Sequence, residues 1–163
     1  MSSSFSYSVP NNDFAKYLIG RWKRSLKCQY FGPSFPFVGG NNSVLIIEEE
    51  TEAISEPGTL FLNWKVMKSG DSTAEDAKVA FCMQVFPNSD GSSNMQWEYH
   101  GHNCEGFFHP QASSATLMFK DDAGTMTVVN RAVDENTMAV CIVEVDNQFM
   151  PVMQFGTMAR IVQ

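Results

Sequence analysis

From Trp22 to the end of the chain, apolar and polar residues alternate in short runs separated by turn-forming clusters. The alternation is clearest where Leu60, Leu62, Trp64 and Val66 oppose Thr59, Asn63 and Lys65. It recurs where Val79, Phe81, Met83 and Val85 oppose Lys78, Cys82 and Gln84. A period of two sends successive side chains to opposite faces of a strand. The pattern predicts nine extended runs, at about 22–31, 44–52, 59–67, 78–86, 95–103, 115–120, 125–131, 137–146 and 149–162. The breaks carry turn chemistry: Gly32-Pro33, Gly39-Gly40-Asn41-Asn42, Glu56-Pro57-Gly58, Ser69-Gly70-Asp71, Pro87 to Gly91, Asp121 to Gly124 and Asp134-Glu135-Asn136. Short strands at even spacing without intervening helices pair antiparallel, up and down. The expected fold is therefore all-β, a closed barrel of about 8–10 strands, with a two-sheet sandwich as the alternative.

The first 22 residues differ. Residues 1–10 read as a polar tail ending at Pro10, and residues 11–163 as one barrel domain. Asn12 and Asp13 are N-cap types, and Phe14, Tyr17 and Leu18 follow at i, i+3, i+4 spacing. One or two helical turns, stopped by Gly20, are predicted there; residues 74–77 form a weaker polar helical stretch. At the other end, Cys141-Ile142-Val143 and the run from Phe149 to Phe155 are apolar on both faces. Something is expected to cover their outside, either the short helix or a second copy in a homodimer built on the last two strands.

Composition narrows the function classes. The 163 residues suit a single domain with a real core, and 44 % hydrophobic against 18 % charged residues is ordinary globular chemistry. Thirteen Phe and ten Met supply large, adaptable apolar surface, for a core or for a cavity lining. A net charge of −7 excludes nucleic acid as a partner, because phosphate binding needs surplus Lys and Arg. Glu48, Glu49, Glu50 and Glu52 read as a solvated strand end. No apolar run reaches the roughly 18 residues of a membrane span. The N-terminus lacks the basic and apolar regions of a signal peptide, and the four cysteines form no CxxC pair. Reduced thiols in the cytoplasm or a plastid are the expectation.

Candidate chemistry follows from facing. If Trp22 points inward, Arg24, Leu26, Cys28 and Tyr30 do too. An arginine inside an apolar barrel needs an anion, and Arg24 with Tyr30 would suit a ligand carboxylate. Trp64, Phe81, Trp97 and Tyr99 are the expected aromatic lining, and Arg131 and Glu144 are polar candidates on later strands. His100, His102 and Cys104 alternate on what reads as one strand and are ligand types suited to zinc or copper. No fourth ligand accompanies them, so they are read as a polar outer face, with no metal. Neither a nucleophile elbow nor a phosphate loop is present.

Gly20-Arg21-Trp22, after a short helix and opening the first strand, resembles the Gly-x-Trp signature of the calycin superfamily, which includes lipocalins and fatty-acid-binding proteins. The resemblance implies that the indole plugs the closed end of a barrel and that Arg160, from the final strand, packs across it. The absence of a helix-turn-helix after the first strand and the ending in a strand are more similar to ten-stranded calycin-like barrels, such as nitrobindin-like haem proteins and bilin lyases. The last strand carries Gln154, Gly156 and Met158 but no His, which speaks against haem ligation. The function implied is an intracellular carrier for a small hydrophobic or amphipathic ligand, a fatty acid, lipid or tetrapyrrole pigment, held in the cavity. The alternatives are a lyase or isomerase acting on such a ligand, which leaves enzymatic activity open, and an interaction module using an apolar outer face.

Overall fold

The computed structural model describes residues 7–31, 36–50, 58–67, 77–146 and 151–161. Ten strands follow a short helix: β1 (Gly20–Phe31), β2 (Pro36–Glu49), β3 (Leu60–Met67), β4 (Lys78–Pro87), β5 (Ser93–Tyr99), β6 (His102–His109), β7 (Ser114–Asp121), β8 (Gly124–Asp134), β9 (Thr137–Asp146) and β10 (Pro151–Arg160). Each pairs antiparallel with its neighbour in sequence, and β1 pairs with β10 to close the barrel. This is the up-and-down closed barrel that the alternation predicts. Among the described residues no helix is long and apolar enough to cross a membrane.

Three local expectations are corrected. The run at 95–103 is not one strand: β5 ends at Tyr99, and His100 (φ +49°) and Gly101 (φ +80°) turn the chain into β6. Two consecutive positive-φ residues suit the right-handed twist of a two-residue hairpin. The glycine-asparagine run 39–42 is no break but lies inside β2, where Gly39, Gly40 and Asn41 pair with Cys28, Lys27 and Leu26. At Trp64/Lys65 the β3–β4 register slips by one residue. That bulge turns Val79 outward, 49 % exposed, and lets Ala80 face the interior beside Phe81. The turns expected at Gly32-Pro33 and Ser69-Gly70-Asp71, Glu56-Pro57 of the turn ending at Gly58, and residues 74–76 lie outside the described residues.

The helix α1 (Phe14–Leu18) is too short to persist alone and is held by its contacts. Asp13 caps it, accepting from the Lys16 amide at 3.0 Å. Phe14 stacks on Phe108 with ring centroids 4.6 Å apart, and the Tyr17 hydroxyl donates to the backbone carbonyls of Asp134 (2.8 Å) and Thr137 (3.1 Å). The helix therefore seals one end of the barrel. It leaves the outer faces of β9 and β10 uncovered: Val143 stays 37 % and Phe155 42 % exposed, against the expectation that the helix shields them.

Trp22 forms the floor. It is fully buried, and its Nε1 donates to the Leu18 carbonyl at 2.9 Å. The Arg160 guanidinium lies 4.2 Å from the indole centroid and donates to the carbonyls of Ile19 (2.8 Å) and Tyr17 (2.7 Å). One side chain thus satisfies carbonyls at the end of α1 while covering the aromatic face. Gly20 makes this possible. Its φ is +143°, and a Cβ there would stand 2.6 Å from Arg160 Nη1.

Candidate functional site

Above the Trp22 floor the barrel is hollow. A cavity of about 260 Å³ is bounded by apolar side chains such as Leu117, Val128 and Ile142, with Arg24, Tyr99, Asn130, Glu144 and Gln154 as the polar exceptions. A recess of about 170 Å³ at the mouth shares Tyr99, Phe119, Met126 and Glu144 with it. The interior alone lies below the roughly 300–1,000 Å³ of most ligand pockets. A large guest would occupy both spaces and project from the mouth.

Arg24 faces inward, as its parity with Trp22 and Leu26 requires. Its Nε donates to Ser43 Oγ at 2.7 Å, across the β1–β2 ladder. Among the described residues it has no carboxylate partner, and burial holds its guanidinium below the usual arginine value. A desolvated guanidinium with free donors is a binding group for an anion.

One wall is aromatic. Trp64 and Phe81 stack at 5.2 Å, and Phe81 meets Phe119 edge-on at 5.3 Å and Tyr99 at 6.1 Å. All four border the cavity. Trp97 does not. It is packed into the wall against Phe119 at 4.9 Å and over Gly106, whose missing side chain makes the room. Arg131 is exposed on the outer face, because Asn130 and Ala132 on either side point inward, so it takes no part in the cavity. The Tyr30 side chain lies outside the described residues.

Glu144 reaches the mouth from β9 and accepts a long 3.5 Å contact from Gln154 Nε2. Burial first, and repulsion from Asp121 second, push its carboxyl above the usual carboxylate range. The native state therefore binds this proton more tightly than the unfolded chain. Glu144 adds stability that is complete below its unfolded pKa and lost as pH rises through the folded one. Replacing Glu144 by Gln is expected to raise the melting temperature at pH 7, with the gain fading toward pH 4. A pair of pH–Tm curves that stay parallel would refute this.

The proposed outer-face histidines separate. His100 sits in the turn, while His102 pairs with Asp122 at 2.8 Å on the surface. Cys104 is buried, its sulfur accepting from the Lys120 amide at 3.3 Å, and with His102 it pairs opposite Trp97 and Tyr99, so the face they share on β6 is the inner one and not a polar outer one. No group of three metal-ligating side chains occurs among the described residues. The Cys28 and Cys82 thiols are pushed up, chiefly by burial, which makes them poor nucleophiles. Glu48 and Glu49 are exposed at the end of β2, Glu48 pairing with Lys65 at 2.8 Å, while Glu52 lies outside the described residues.

Sequence reading missed Asn130, Ser43 and Gln154. For Asn130 the signal was present: Met126, Val128 and Ala132 share its parity, which places an asparagine on an apolar inner face.

Protein-family models and curated proteins yield no match to the chain. Among solved structures, the S-type phycobiliprotein lyase CPES from Guillardia theta superposes with a TM-score of 0.67 at 10 % identity, over 96 % of this chain and 94 % of that one. At that identity the likeness is one of fold: the chain shares its overall fold with a protein named as a phycobiliprotein lyase.

Proposed function

We propose that the barrel holds a small amphipathic guest carrying a carboxylate, its apolar body among the aromatic wall and its anion on Arg24. The observation that carries this reading is the Arg24 guanidinium, turned into an apolar cavity without a carboxylate partner among the described residues. A purely structural interior would place an apolar residue there, at no desolvation cost. The likeness to a phycobiliprotein lyase favours a tetrapyrrole among such guests. Because the cavity is small and its mouth recess shares residues with it, part of such a guest would stay accessible for transfer.

Two roles fit this geometry. The first is a carrier that keeps the guest from solvent. The second is a lyase that passes the guest to an acceptor, favoured by the same likeness and by Glu144, whose carboxyl at the mouth retains its proton to higher pH and is placed to give it up.

Titration with biliverdin and, separately, with oleate tests the shared reading. A 1:1 complex with at least one of them, seen by native mass spectrometry and by quenching of tryptophan fluorescence, is expected. Absence of binding to both would remove it. Release of a covalent adduct onto an added acceptor protein, lost in Glu144→Gln, would mark the lyase role over the carrier.

A further inference from the structure

Among the described residues, two polar atoms buried in the cavity wall have no partner. Asn130 is 2 % exposed and its Oδ1 meets no donor; Trp64 is 4 % exposed and its Nε1–H meets no acceptor. Both residues line the central cavity. Other interior polar groups are matched: the Trp22 indole reaches the Leu18 carbonyl, Arg24 reaches Ser43, and Gln154 reaches Glu144. Native proteins rarely leave a buried polar atom without a hydrogen bond, since the lost hydration is not recovered. A leucine at position 130, between Val128 and Ala132 on the same face, would avoid the cost. Trp97 Nε1 is also unpartnered, but its residue lies off the cavity.

We infer that Asn130 and Trp64 are specificity-determining residues whose partners arrive with the guest: an N–H donor for Asn130 Oδ1 and a carbonyl or ring acceptor for the Trp64 indole. This rests on the ligand-binding reading above and narrows it. A fatty acid carries one polar end, which Arg24 satisfies, and an alkyl chain with nothing to offer the other two atoms. A conjugated guest with lactam-type N–H and C=O groups as well as a carboxylate serves all three. The interior thus selects a nitrogen-bearing chromophore, such as an open-chain tetrapyrrole, against a lipid of similar apolar character. Rejection follows the same logic: a guest without the groups leaves both atoms desolvated and unpaired.

The test compares biliverdin with oleate on the wild type, Asn130→Leu and Trp64→Phe, by calorimetric titration alongside melting of the guest-free protein. Each substitution is expected to weaken biliverdin about tenfold while oleate changes by less than about twofold. Guest-free Asn130→Leu is expected to melt higher than wild type, because an unsatisfied amide has been removed. Undiminished biliverdin affinity in both variants overturns the inference, as does an equal loss for oleate, which is the result if a water bridges the two atoms. A sharp fall in the melting temperature of Asn130→Leu overturns it too, by showing the amide already satisfied. Wild type that binds oleate but not biliverdin sinks this inference and leaves the cavity reading standing; binding of neither sinks both.

Discussion

Trp22→Ala is expected to destabilise the protein by about 3–5 kcal/mol, the range for emptying a buried aromatic site. The indole is wholly enclosed and its N–H holds the last carbonyl of α1, so truncation opens a void and frees a helix end together. For a domain of this size the fall in Tm is on the order of 10 °C. Arg160→Met is expected to act in the same direction and less strongly. It keeps apolar cover over the ring but abandons the Ile19 and Tyr17 carbonyls and the cation–π contact, worth roughly 0.5–2 kcal/mol. Because α1 is anchored through the same groups, far-ultraviolet helix signal should be lost before strand signal on heating either variant. A Trp22→Ala protein that melts within about 2 °C of wild type would show that the floor does not hold the barrel shut.

Arg24→Met carries the second large effect, and its two readouts have opposite signs. Guest affinity should fall by about 30- to 150-fold, the loss expected when a charge-assisted contact worth roughly 2–3 kcal/mol disappears. Guest-free stability should rise instead, since a desolvated guanidinium whose one side-chain partner among the described residues is Ser43 gives way to an apolar group of similar reach. Arg24→Lys separates charge from geometry: it keeps the cation but loses the two-pronged fit to a carboxylate, so intermediate affinity is expected. Affinity unchanged in Arg24→Met would place the guest's anion elsewhere, and the argument for an acidic guest would go with it. A simultaneous loss of stability would mean that Arg24 serves the fold rather than a ligand.

Which residues face the interior at the candidate site was in part legible before any coordinates. Parity along β1 put Arg24 inside with Trp22, and parity along β3 did the same for Trp64. Parity failed where the backbone left the regular ladder. The bulge at Trp64/Lys65 exposed Val79, and the turn at His100-Gly101 divided a run of apparently continuous alternation, separating His100 from His102 and Cys104 on β6. Such irregularities depend on how neighbouring strands twist past one another, which no single strand records. Arg131 was misplaced for a plainer reason: its long side chain was weighed for chemistry without the parity of Asn130 and Ala132 beside it. Trp97 had the right parity but not the right neighbours, for Gly106 draws its ring into the wall.

The resemblance of Gly20-Arg21-Trp22 to the Gly-x-Trp signature implied that Trp22 and Arg160 pack together, and by itself the sequence determined that this chain is all-β and that its strands run up and down. These are properties of local period and turn chemistry, which the chain carries from residue to residue. The tertiary structure alone decided that the tenth strand meets the first, how much space remains between the walls, and which polar atoms inside it stand unpaired. Closure and cavity are sums over residues far apart in the chain: side-chain volumes from ten strands fill the interior incompletely, and no local pattern encodes the remainder.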